Sequence, residues 1–267
     1  MKNKKIAILG GGNLGIAIAQ GLVGSGTIKA GNIIITRRNL SKLESLKGKG
    51  FILTSNNKDA VKQSHIVILC VQPKQLIELA TSIFEILDPD KHLLVSTVTG
   101  TTTHEIEKML GTSIPIVRAM PNTAIAIGKS MTCICSAHAS PTQVKEIRTL
   151  FNSLGQTLLV EERLMKAATV LAASGIAFFM RYLRAATQGG IQLGFDSSES
   201  QLIVVQTALG AASLILENKS HPELEIDKVT TPEGCTIAGL NEMEHQGFSS
   251  ALIKGLATSY DKINNIK

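Results

Sequence analysis

The chain has 267 residues, 18% of them charged and 44% apolar, the balance of an ordinary globular protein and not of a disordered one. The formal charge of +6 would suit nucleic acid, but the 27 Lys and Arg are dispersed along the chain. With no Trp and 3% aromatic residues there are few platforms for stacked bases, so we expect no nucleic-acid partner and read the charge as a solvated surface that steers small anions.

The opening MKNKKIAIL carries an apolar run that stops after four residues at a glycine cluster, so we expect a first strand and not a signal peptide. Short β-branched runs predict strands over 5–9, 33–36, 51–54, 66–71, 93–96, 114–118, 131–136 and 157–160. Amphipathic stretches predict helices among them at 14–23, 74–87, 103–110 and 142–154. This alternation indicates an α/β domain with a mostly parallel sheet covered on both faces. After Glu161 the strand signal ends, and helical windows follow at 162–187, 197–217, 222–228, 236–245 and 249–263. DSSE at 196–199 and SHPE at 220–223 both have the spacing of capping boxes, the second with Pro at the first helical position. We therefore divide the chain at residue 160, into an α/β domain over 1–160 and an all-α domain over 161–267. The longest mostly apolar stretch, 167–180, is fourteen residues, short for a bilayer, and we expect no membrane partner. Cys70, Cys133, Cys135 and Cys235 show neither a disulfide framework nor metal-ligand spacing, and the six His are scattered. The expectation is no metal and a reducing, cytoplasmic setting.

KIAILGGGNLGIAIAQGL places Gly10, Gly12 and Gly15 between a strand and a helix. The first Gly makes a tight turn, the second lets backbone approach a pyrophosphate, and the third lets the helix pack on the strand, whose partner helix offers its N-terminus to the phosphates. That is a Rossmann dinucleotide site. An NAD-binding chain has an acid about 20 residues further on; here NIIITRRNLSKLE puts Thr36, Arg37 and Arg38 at the end of the next strand. A hydroxyl and two guanidinium groups suit a 2′-phosphate, so NADPH is the expected cofactor, with NADH as the weaker alternative.

Taken together, ILGGGNLG, VQPKQ (71–75), VRAMPNTA (117–124) and the closing HPELEIDKVTTPEGCTIAGLNEMEHQGFSSALIKG (221–255) resemble pyrroline-5-carboxylate reductase along the whole chain. The resemblance implies reduction of 1-pyrroline-5-carboxylate to L-proline, the last step of proline synthesis, by a Rossmann domain followed by a helical domain that interleaves with a partner's in a homodimer or higher homo-oligomer. It implies that Gly10, Gly12, Asn13, Leu14, Gly15, Thr36, Arg37, Asn57, Cys70, Val71, Gln72 and Pro73 contact the cofactor. It also implies that Thr231, Gly234, Cys235 and Thr236 hold the substrate, with Glu162 and, from the VRAMPNTA block, Asn122 on the substrate side. The chain departs from the family's usual Ser-Gly-Ser-Gly-Pro-Ala-Tyr run at AASGIAF (172–178), has Glu233-Gly234 where Gly-Gly is usual, and has Gln72 for Lys.

A small anionic imine needs orientation more than an acid–base pair, because a bound cofactor supplies the hydride. In TTPEGCT, Pro232 fixes the turn, Gly234 removes a side chain, and the N–H groups of a new helix are placed to receive a carboxylate, with the Thr236 hydroxyl beside the ring nitrogen. The plain alternative makes Thr231 or Thr236 an N-cap and the loop a connector. Cys235 is read as a small residue whose backbone matters, since no His or Lys lies in that segment to activate a thiol. Two other readings remain open: a related imine or β-hydroxyacid reductase, for which Lys166 is the only helical candidate base, and a nucleotide-binding regulatory homologue without catalysis.

Overall fold

The computed structural model describes residues 4–111 and 113–264. Eight strands form one sheet in the order β3-β2-β1-β4-β5-β6-β7-β8: β1 (Ile6–Leu9), β2 (Ile33–Thr36), β3 (Ile52–Thr54), β4 (Ile66–Leu69), β5 (Leu93–Ser96), β6 (Ile116–Met120), β7 (Ser130–Ala137) and β8 (Gly155–Leu159). All neighbours run parallel except β6 and β7. The first six strands have the doubly wound order of a dinucleotide-binding sheet, whose ligands bind beyond the carboxyl ends of β1 and β4 where the order reverses.

Period-two alternation in short apolar strands builds both faces. Ile6 and Ile8 join Ile33, Ile35, Ile66 and Ile68 under α1 (Asn13–Gly24). Ala7 and Leu9 face the other way, with Val67 and Leu69. α2 (Asn57–Lys62), α3 (Pro73–Ile83) and α4 (Thr103–Leu110) cover that second face, while α5 (Pro141–Asn152) joins α1 on the first. Leu76, Leu79, Ala80 and Ile83 recur at helical spacing along α3.

The strand signal does end with β8, yet the compact unit built on the sheet continues to Ser174 and takes in residues 259–264. Its continuation is packing: Met165 and Ala168 of α6 (Met165–Ala168) bury themselves against Met120, Cys133 and Cys135. A π-helical turn, Thr169–Ser174, follows α6.

The second compact unit, Gly175–Thr258, is helical: α7 (Gly175–Gln192), α8 (Ser197–Asn218), α9 (Pro222–Val229), α10 (Cys235–His245) and most of α11 (Phe248–Asn264). α7 and α8 pack closely through a small pair: the Ser200 hydroxyl donates to the Thr187 carbonyl at 2.8 Å, and a Cβ on Gly190 would collide with that hydroxyl. Phe179, Tyr182 and Phe248 form an aromatic trio with ring centroids 6.0 and 6.4 Å apart. Asp196 closes the expected capping box on α8 with Glu199. The SHPE box does not form as expected. Pro222 at the first helical position makes His221 the N-cap, whose Nδ1 accepts from the Glu223 N–H, so Ser220 stands outside the helix.

The apolar helical run is also longer than the expected fourteen residues. Residues 162–192 form one continuous helical stretch, and this stretch and α8 are each long and apolar enough, by length and composition, to cross a membrane. α8 leaves Leu202, Ile203, Val205 and Leu209 exposed in the single chain.

Candidate active site

The glycine loop between β1 and α1 hangs from the end of β2: the N–H groups of Gly10 and Gly11 both donate to the Thr36 carbonyl, at 3.3 and 2.7 Å. Gly10 takes φ 113, and a side chain there would run into the Cys70 carbonyl. Gly15 lies buried under the loop, where a Cβ would strike the Gly10 carbonyl oxygen. Gly12 is different. Nothing stands within 4 Å of a Cβ built on it, so its outer side is open space. As N-cap of α1 it has no side chain to satisfy the first-turn N–H groups of Asn13 and Leu14, which leaves them for an anion.

Above the loop lies a cavity of about 510 Å³ lined by Gly10, Gly11, Gly12, Thr36, Arg37, Arg38, Asn57, Cys70, Val71 and Gln72. These expected cofactor residues are therefore brought to one wall-to-wall space, large enough for most of a dinucleotide. Asn13, Leu14, Gly15 and Pro73 do not line it; they form the first turns of α1 and α3 on which the lining rests. The cavity and its loop fit a dinucleotide on this chain's own geometry: a cradle open where a Cβ would block the approach, at a helix N-terminus.

Three features of this cavity were not expected from the sequence. Arg37 is not free to meet a phosphate with its whole guanidinium: Nη1 donates to the Gly11 carbonyl at 2.6 Å and, more loosely, to that of Lys42, so it also holds the glycine loop. Asn39 and Lys42 join the basic end of the cavity. Gln75, Glu78 and Ser82 of α3 add a further wall; their spacing on a helix that opens at Pro73 is the signal that would have found them. Burial pushes the Cys70 thiol up to about 12, partly offset by the Thr97 hydroxyl donating to Sγ at 3.4 Å.

Two residues expected on the substrate side also hold protein groups together. Glu162 accepts from the Thr103 N–H at 2.7 Å and the Thr103 hydroxyl at 2.6 Å, and pairs with Arg118 Nη1 at 3.0 Å. Burial would raise its pKa; those bonds from Thr103 and Arg118 outweigh it and hold the carboxyl below the ordinary value. Arg118, in the VRAMPNTA block, is 4% exposed at the side chain, and its Nε has no partner among the described residues. Glu162 thus serves a buried arginine and the first turn of α4. Asn122 is likewise engaged: Oδ1 accepts from the Ala124 N–H at 3.0 Å, and Nδ2 donates to the Ala172 carbonyl in the π turn at 3.1 Å. It pins the π turn, where backbone carbonyls lose their regular helical donors.

The Thr231–Thr236 loop lies in the helical unit. Gly234 N–H closes a turn onto the Thr231 carbonyl at 3.0 Å, and Glu233 takes φ 58, a left-handed conformation suited to the Gly it replaces. The N-cap of α10 is Gly234 and not either threonine. The capping alternative therefore fails: Thr236 sits at the second helical position, exposed, with no side-chain hydrogen bond among the described residues. Cys235 precedes it, exposed and free. The first N–H groups of α10 are thus left without a capping side chain.

A family model described as pyrroline-5-carboxylate reductase dimerisation matches residues 162–266, and one described as NADP oxidoreductase, coenzyme F420-dependent, matches 5–100. Pyrroline-5-carboxylate reductase 2 of Dictyostelium discoideum is 44% identical over 276 residues, 97% of this chain and 92% of that protein. The chain belongs to the pyrroline-5-carboxylate reductase family. Pyrroline-5-carboxylate reductase 1 of the same organism is 49% identical over 96% of this chain, which spans 49% of that longer protein. A solved pyrroline-5-carboxylate reductase from Coxiella burnetii, 28% identical, superposes with a TM-score of 0.90 over 100% of this chain and 99% of its own. The Rossmann domain followed by helices is therefore the reductase family's architecture.

Proposed function

We propose that the protein reduces 1-pyrroline-5-carboxylate to L-proline with NADPH, NADH serving more weakly. The observation that carries this reading is the open glycine cradle, set in a chain whose whole length matches reductases of that name. NADPH, when bound, supplies the hydride. The chain's part is to hold it on Gly10–Gly15, Asn57 and Cys70–Pro73, with the 2′-phosphate at the basic end formed by Thr36, Arg37 and Arg38. The uncapped N–H groups of α10 receive the substrate carboxylate, Gly234 and Thr231 shape the approach, Cys235 contributes backbone, and the Thr236 hydroxyl orients the ring nitrogen. The functional division near residue 160, between a cofactor domain and a helical domain, is supported by the family match beginning at residue 162. Oxidation of NADPH on addition of pyrroline-5-carboxylate tests the reading, and no turnover with either nucleotide would refute it.

Thr236→Val separates catalysis from capping. With Gly234 as the N-cap, the hydroxyl has no capping bond to lose, so the thermal midpoint is expected to hold. Catalytic efficiency is expected to fall by one hydrogen bond, about 1–3 kcal/mol or roughly 5- to 150-fold. An unchanged kcat/KM would remove Thr236 from the substrate site.

The exposed apolar faces of α7 and α8 are covered by a second copy of this chain, in a homodimer or a larger ring, and not by a bilayer. The match of these residues to a dimerisation family supports this. Light scattering at micromolar concentration is expected to give at least twice the chain mass; a monomer overturns it. The four cysteines are all free, as suits a reducing cytoplasm. Fractionation with an oxidising compartment would contradict that placement.

A further inference from the structure

The basic end of the cavity contains one carboxylate, and it stands against the cation best placed for a phosphate. Arg37 is committed to the glycine loop through the Gly11 carbonyl. Arg38 makes no hydrogen bond among the described residues; its one ion pair is to Glu78, Nη1 to Oε2 at 3.8 Å. Both residues line the cavity, Arg38 just past β2 and Glu78 from α3 across from it. In a doubly wound sheet the ribose that carries the 2′-phosphate lies at the end of the second strand. A phosphate taken by Arg38 therefore arrives within a few ångströms of a carboxylate that already faces the same guanidinium.

We infer that Glu78 sets the balance between NADPH and NADH by competing with the 2′-phosphate for Arg38. Resting on the reading of this cavity as the NADPH site, the inference assigns a specificity residue that lies outside the glycine loop and the end of β2. Glu78 draws Arg38 toward α3 in the free protein and places a negative charge beside the incoming phosphate. Both effects act on NADPH and neither acts on NADH, which has a hydroxyl there. The groups are largely in water, with each side chain 73% exposed, so the effect is modest and salt-dependent.

The test is nucleotide binding to the full chain without substrate, followed by the cofactor's own fluorescence, for the parent and for Glu78→Gln at low and high salt. The expected result is about two- to five-fold tighter NADPH binding at low salt, the size of an exposed charge pair, with NADH affinity unchanged. The gain should shrink at high salt and in an Arg38→Ala background. A gain shared equally by both nucleotides, weaker NADPH binding, or a full gain without Arg38 overturns the inference while leaving the cavity reading in place. Failure of the parent to bind either nucleotide overturns both.

Discussion

Glu162→Ala is expected to destabilise the protein by roughly 2–4 kcal/mol, and Arg118→Met is expected to restore part of that loss. Arg118 is buried on β6, between β5 and β7, and its guanidinium pairs with Glu162. Breaking a buried pair from one side costs about 3–5 kcal/mol because the remaining charge has neither water nor a partner. The figure is lowered here because Glu162 keeps a third of its side chain exposed. The same change also strips an acceptor from the Thr103 N–H and hydroxyl at the start of α4. Removing the charge altogether, in Glu162→Ala with Arg118→Met, replaces an orphaned cation with an apolar side chain of similar length. Thermal or urea unfolding of the three proteins decides the matter: a double variant less stable than Glu162→Ala would show that the arginine is not the penalised group. The pH dependence has a definite sign. The Glu162 carboxyl is held below its ordinary value of 4.5, so its stabilisation is complete above that pH and is lost as the pH falls through the lower folded value. The gap between parent and Glu162→Ala should therefore close in acid.

The largest effect on cofactor binding is expected from Gly12→Val, with little effect on folding. Gly12 has φ −82 and ψ −171, backbone that any residue adopts, and no protein atom stands within 4 Å of a Cβ there. A valine would fold without collision and fill the space through which a pyrophosphate reaches the N–H groups of α1. Affinity for NADPH and NADH should both fall on the order of 100-fold, about 2.7 kcal/mol, since both share the pyrophosphate. Gly15→Ala provides the contrast. Its Cβ meets the Gly10 carbonyl and Ile8 Cγ2, so α1 must shift, with a stability cost of about 1–3 kcal/mol. Calorimetric titration and a melting curve on each variant separate blocked approach from damaged packing. Full nucleotide affinity in Gly12→Val would displace the ligand from this loop.

Most strands and helices were legible because short apolar runs with β-branching, and amphipathic runs with caps, leave strong local patterns. α2 escaped because NKDAVK is six residues long, too short for a period; only Asn56, whose side chain accepts from Asp59 N–H, announces it. The cofactor loop was legible because its chemistry is local: three glycines at fixed spacing between a strand and a helix. The roles of Arg37, Glu162 and Asn122 were not, because each depends on a partner distant in sequence, at Gly11, at Thr103 and Arg118, and at Ala172. A sequence shows that an arginine follows a strand, but not that one of its nitrogens is already spent on a carbonyl. The N-cap of α10 was misjudged as a possible threonine because Gly234, which has no capping group, takes that place.

The aromatic trio gives the molecule an uneven optical character. Tyr182, between Phe179 and Phe248, is one of two tyrosines; the other is Tyr260, and there is no tryptophan. Every residue up to Ser174, the glycine cradle and its cavity included, therefore lacks both phenol and indole chromophores. Near-ultraviolet dichroism from Tyr182 watches the order of the helices alone. The reduced nicotinamide, in turn, emits against an almost dark protein background, with no indole nearby to excite it by energy transfer.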